Sequence, residues 1–274
     1  MTHHSASTAA SATTHAEVAR LVEEHGGLLY GLAYRFCGDR DRAEDLVQEV
    51  FLSALRSWEG YRGDASERTW LYTIAARACQ RMSRKRSGEP VRIGSLHELL
   101  PFGEERIADV PGSEGSLLDK QVETEARERI EAAIAALPEE FRVPLLLKEI
   151  VGLPLRDVGG IMGIEEATAR SRVHRARLKL RAALDTALPR QPMPAPPPAY
   201  EEQTCLDLLD AKQDALDRGV PFDGHVICER CRSVFASLDL TQNVCRDLTQ
   251  GELPEGVRER LRARLSDPSE EKSL

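Results

Sequence analysis

The stretch Leu153–Arg181, LPLRDVGGIMGIEEATARSRVHRARLKLR, decides the fold of this chain. Leu155, Val158, Ile161 and Met162 recur at helical spacing, Pro154 stands where a first-turn proline costs least, and Gly163 can take the left-handed position that ends a helix. A second helix begins near Glu165 or Glu166, whose carboxylates suit a positive helix end. It carries Arg170, Arg172, Arg175, Arg177, Lys179 and Arg181 with no acid among them, while Ala169, Val173, Ala176 and Leu180 form an apolar stripe. Two helices joined by a tight turn, the second basic on one face and apolar on the other, predict a helix-turn-helix. Thr168, Ala169, Arg170 and Arg172 lie at the leading end that enters a major groove. A merely solvated basic helix would not need turn, stripe and one-signed face to agree.

Upstream, the periodicity is helical throughout, so the fold class is all-α. Val18, Leu21, Val22, Leu28, Leu29, Leu32 and Phe36 mark one or two helices, loosened in the middle by Gly26 and Gly27. A helix over 43–58 follows, with Leu46, Val47, Val50, Phe51, Ala54 and Leu55 inward and Asp45, Gln48 and Glu49 on the opposite face. The loop EGYRGDASERT leads into a helix from Trp70 to about Arg86 whose far end collects Arg77, Arg81, Arg84, Lys85 and Arg86, a run that can track a nucleic-acid backbone. Tyr61 and Arg62 in the loop suit an unstacked base, whereas Trp70 reads as core.

These patterns divide the chain into a flexible tail over 1–16, a first helical domain over 17–86, a linker over 87–122 that includes LHELLPF, a second domain over 123–186, a Pro-rich linker over 187–199 and a C-terminal piece over 200–274. The chain has 274 residues and a net charge of −8. The last piece holds 16 acidic and 10 basic residues, a net of −6, so the acid is concentrated outside the DNA-reading part. No apolar run is long enough to span a membrane and no secretory signal opens the chain, which predicts a cytoplasmic protein. Six cysteines then argue for metal or thiol chemistry over disulfides.

At AEDLVQEVFLSAL, RTWLYTIAARACQRMSRKR, LPEEFRVPLLLKEI and ATARSRVHRARLKLR the sequence resembles the extracytoplasmic-function (ECF) group of bacterial sigma factors, in the family's order from about Glu17 to Leu184. The resemblance implies a first domain (sigma region 2) that holds RNA polymerase core and opens the minus-ten element, and a second (sigma region 4) that reads the minus-thirty-five element. It implies that Asp45, Gln48, Glu49 and Phe51 meet the polymerase, with the beta-prime and beta subunits as partners. Tyr61, Arg62, Arg77, Arg81, Arg84 and Lys85 would meet minus-ten DNA. Thr168, Ala169, Arg170, Arg172, Arg175 and Arg177 would meet minus-thirty-five DNA. Glu67 stands where the family usually has an aromatic residue, and Gly159 and Gly160 stand where Ala or Glu is usual, at a cost of about 1 kcal/mol each.

The C-terminal piece is similar to the zinc-binding anti-sigma fold, so a small helical zinc-finger-like domain is expected. His225, Cys228 and Cys231 are spaced at threes, on one helical face, and Cys205 is placed as a fourth ligand; Cys245 is the substitute if His225 points away. Such a closed Cys3His set would be structural zinc and leaves no open position for hydrolytic water, so no enzyme is expected. An acidic module on a stiff tether would modulate the DNA-binding surfaces in cis, and the resemblance admits a separate anti-sigma factor as partner. The competing reading is a stand-alone helix-turn-helix regulator with no polymerase role, which would have no use for DLVQEVF and its neighbours.

Overall fold

The computed structural model describes residues 3–84, 117–185, 199–224, 227–248 and 251–266, all helix or connecting turn. The segment LHELLPF and most of the Pro-rich linker lie outside these residues. The chain falls into two compact units, one made of residues 1–89 and 249–274, the other of residues 90–248.

The first unit is built on α1 (His3–Cys37), α2 (Arg40–Ser57) and α3 (Glu67–Arg84). Of the tail expected over 1–16, residues 3–16 are instead the opening of α1, a single helix. Its start is rich in alanine, the best helix former, and no proline or glycine interrupts it before Gly26. Asp39 caps α2, its carboxylate accepting from the Arg42 amide at 2.8 Å. Leu21, Leu29, Phe36, Leu46, Phe51 and Leu71 are fully buried between the three helices. A fourth helix joins them from the far end of the chain, packing against α1 and α2.

The second unit contains α4 (Leu117–Ala136), α5 (Glu139–Glu149), α6 (Leu155–Met162) and α7 (Glu166–Asp185), followed by α8 (Glu202–Arg218) and α9 (Glu229–Asp247). The helix that joins the first unit is α10 (Glu255–Ser266). Residues 200–274 are therefore not one domain. Leu178 of α7 shares a buried cluster with Cys205, Leu209, Leu216, Cys231, Phe235 and Leu238. The α8–α9 pair and the helix-turn-helix thus have a common core, and α10 belongs elsewhere.

Candidate nucleic-acid interface

The turn between α6 and α7 forms as the spacing predicts. Pro154 precedes α6, Gly163 sits at φ 66° and ψ 36°, and the Ile164 amide donates to the Gly159 carbonyl at 3.0 Å. Gly159 does more than weaken the helix: a Cβ there would stand 2.8 Å from the Ile164 carbonyl oxygen, so the corner closes only on glycine. Gly160 faces open space, and its cost is uncompensated.

Residue by residue, α7 departs from a free basic face. Thr168 is exposed at the leading end, but Ala169 is fully buried and supports the helix instead of touching bases. Arg170 pairs with Asp214 of α8 at 2.8 Å and with Glu166 at 3.0 Å. Arg172 pairs with the Glu140 carboxylate at 3.4 Å and donates to the Glu140 carbonyl, the group that Pro144, lacking an amide hydrogen, leaves without its helical partner. Arg175 lies over the Phe141 ring at 5.2 Å.

Arg177 is buried and corrects the expectation that it meets DNA. It donates to Glu149 from Nε at 2.8 Å and from Nη2, and stands 2.8 Å from Asp217. His174 meets the other Asp217 oxygen at 2.8 Å. Gln242 of α9 donates to the remaining Glu149 oxygen at 3.0 Å, and Gln213 of α8 to the His174 carbonyl at 3.2 Å. Burial pushes the Asp217 carboxyl up, but the hydrogen bond and charge of His174 and the charge of Arg177 outweigh it and hold the carboxyl below its ordinary value. In the sequence the acids of the extension show only as net charge; Asp214 and Asp217, three apart on one helix, point at one face of α7, and their spacing of three is the signal for it.

In the first unit the acid-edged helix is present. Asp45 is exposed, and Gln48 and Glu49 are half-buried on the same side, whereas Phe51 is fully buried and serves the core, not a partner. Glu49 accepts from Ser53 at 3.1 Å and lies 3.6 Å from Arg81. Arg62, Arg77 and Arg81 are exposed; Arg84 closes α3, and Lys85 is outside the described residues. Tyr61 packs against Trp58 and Trp70 with ring centroids 5.5 and 4.9 Å away, and its hydroxyl donates to the Ala65 carbonyl at 2.6 Å. Trp70, half-buried, is part of that aromatic group and not of the deep core. Glu67 takes a bidentate pair from Arg20 at 2.7 and 3.2 Å, which holds its carboxyl below the usual range despite partial burial.

The cysteines are partly gathered. Cys231, in the first turn of α9, has Cys228 and Cys205 as hydrogen-bonding neighbours, and burial first, then those two thiols, push its own up to about 12. The three sulfurs do not close into a group with all members within 4.8 Å; among the described residues only Glu24, His25 and Glu67, and His174, Asp214 and Asp217, do so. Both of the latter are accounted for by ion pairs. Cys228 caps α9 and does not lie within it, so Cys228 and Cys231 do not share a helical face as expected; His225 is outside the described residues. Cys245 lies fourteen residues along α9 from Cys231, about 21 Å at 1.5 Å per residue, which removes it as a substitute ligand.

These features define an all-helical, nucleic-acid-binding protein with a helix-turn-helix in one unit and a helix of acidic edge beside an arginine-bearing helix in the other. Residues 21–89 match Sigma-70 region 2 and residues 127–180 match Sigma-70, region 4. The chain is 35% identical over 162 residues to the ECF RNA polymerase sigma factor SigE of Mycolicibacterium smegmatis, a match covering 59% of this chain and 59% of that protein's length. It is 32% identical over 170 residues to the RNA polymerase sigma-H factor of Pseudomonas aeruginosa, covering 61% of this chain and 86% of that one. Among solved structures, the sigma factor RpoE in complex with the anti-sigma factor NepR from Bartonella quintana is 27% identical, with a TM-score of 0.39 over 57% of this chain and 89% of that chain. The chain belongs to the ECF sigma factors of the sigma-70 family. The region 2 match disfavours the stand-alone regulator, and neither family match extends past residue 180.

Proposed function

We propose that this chain binds RNA polymerase core and directs it to promoters, and that residues 199–248 restrain it in cis. In this reading the Asp45, Gln48 and Glu49 edge of α2 docks on the polymerase. Tyr61, Arg62, Arg77 and Arg81 meet the minus-ten strand, and Thr168, Arg170, Arg172 and Arg175 lie on the minus-thirty-five duplex. The observation that carries the restraint is the pairing of Arg170 with Asp214 and of His174 and Arg177 with Asp217. In this reading Asp214 holds Arg170 in place of a DNA phosphate and repels the duplex by like charge, while Asp217, paired with the buried Arg177, fastens α8 to α7. Run-off transcription with purified core polymerase tests the proposal: the chain should start promoter-specific transcripts, and Asp214→Asn should raise their yield. A chain that neither binds core nor starts transcripts is not a sigma factor.

Cys205, Cys228 and Cys231, with His225, are proposed as the donor set of a structural zinc. Cys228 and Cys205 each neighbour Cys231 near the start of α9, and a soft, four-coordinate ion that drew the three sulfurs together would fasten α8 to α9. Zinc bound there takes thiolates, so loading should release protons. Metal analysis of the purified chain should find about one zinc per molecule, lost in Cys231→Ser; a metal-free, fully folded wild type would refute it.

A further inference from the structure

Gly26, Gly27 and Gly31 lie along one side of α1, and the chain just before α10 is pressed against them. A Cβ on Gly27 would stand 2.5 Å from the Gly251 carbonyl oxygen, and one on Gly26 would stand 2.9 Å from a Leu253 methyl. One on Gly251 would stand 2.6 Å from the Gly27 carbonyl oxygen and 3.0 Å from the Gly31 Cα. Backbone meets backbone here at a distance only glycine permits.

From that seat α10 lies along α1 and α2. Val257, Leu261 and Leu265, at spacings of four, are buried together with Leu253. Three of its arginines meet polar side chains beside the apolar stripe. Arg260 pairs with Glu44 of α2, Arg262 with Glu23 of α1 at 2.8 Å, and Arg264 donates to Gln48 of α2 at 3.3 Å. Gln48 belongs to the edge through which the chain is proposed to hold the polymerase.

We infer that residues 251–266 form an internal competitor for that docking edge, seated in the free protein and displaced when polymerase binds. The inference rests on the reading of α2 as the polymerase-docking helix. A partner laid across Gln48 collides with α10, so the two occupants exclude one another. The arm also shows what the partner must offer there: a helix with an apolar stripe flanked by basic side chains, matching Glu23, Glu44 and Gln48.

The test uses the full chain. In Gly251→Val the added side chain cannot fit against α1, and in R260E/R262E/R264E three contacts become repulsive or are lost; none of these residues belongs to the proposed docking edge. An arm seated in about nine molecules of ten weakens apparent binding about tenfold, so both variants should bind core polymerase about tenfold more tightly than the wild type. Hydrogen exchange of the wild type should show 255–266 protected in the free protein and exchanging freely in the polymerase complex. Wild-type affinity in variants whose α10 already exchanges freely, or an α10 that stays protected in the complex, overturns the inference and leaves the sigma-factor reading intact. Failure of the wild type and both variants to bind core overturns both.

Discussion

At Gly159 and Gly160 two adjacent identical residues have opposite roles. Gly160→Ala should raise stability by about 0.5–1 kcal/mol, since the site is open and the gain is conformational entropy. Gly159→Ala should lower it by about 1–3 kcal/mol, since the new methyl meets the Ile164 carbonyl. Urea unfolding of the two variants measures this, and equal shifts of one sign would contradict it. Arg177→Ala should cost about 3–5 kcal/mol, because Glu149 would be left buried without a cation and Asp217 with His174 alone. Sequence alone shows that a glycine costs helix stability. It does not show what lies within 3 Å of an absent Cβ, which explains why Gly159 read as a weakness. In the same way Arg177 looked like its exposed neighbours, because the acids that bury it come from 28 residues before it, Glu149, and from α8 after a proline-rich stretch.

At the scale of elements, the contact of α8 with α7 is where charge and acidity act. The Asp217 carboxyl is held below its unfolded value of 3.8, so its contribution is complete above about pH 5 and is lost as the pH falls through the folded value. Asp217→Asn should flatten the acid limb of the stability profile; an unchanged limb would show that other carboxylates dominate. Asp214→Asn should tighten binding of the full chain to a minus-thirty-five duplex and steepen the logarithmic salt dependence by up to about one, as Arg170, left with only the exposed Glu166, turns to a phosphate. Fluorescence anisotropy at several salt concentrations reads both. The helices themselves were legible: α2, α6 and α7 lie within a few residues of their apolar periodicity, and Gly163 ended α6 as its position required. What periodicity does not give is which polar faces meet. The basic face of α7 and the acids of α8 were each visible, but their pairing depends on tertiary packing.

For the whole chain, the extension is not a detachable module. Leu178 shares a core with α8 and α9, and Glu149 is satisfied by Arg177 and Gln242 together. Deleting residues 200–274 should therefore destabilise the helix-turn-helix as well as free it. The deletion should unfold at lower urea than Asp214→Asn, and a deletion as stable as the wild type would show that the shared core contributes nothing. Composition separated an acidic C-terminal piece from the rest, yet net charge carries no information on how its helices are apportioned, and so the assignment of α10 to the first unit was not legible.

The paired glycines of α1 have an implication for lineages. Where a sigma factor carries no such arm, nothing keeps those two positions small, and ordinary helix formers should fill them. A double glycine in the first helix and a distant Gly-Glu-Leu-Pro run ought then to arise and vanish together, a genomic fingerprint of self-restraint readable without any structure.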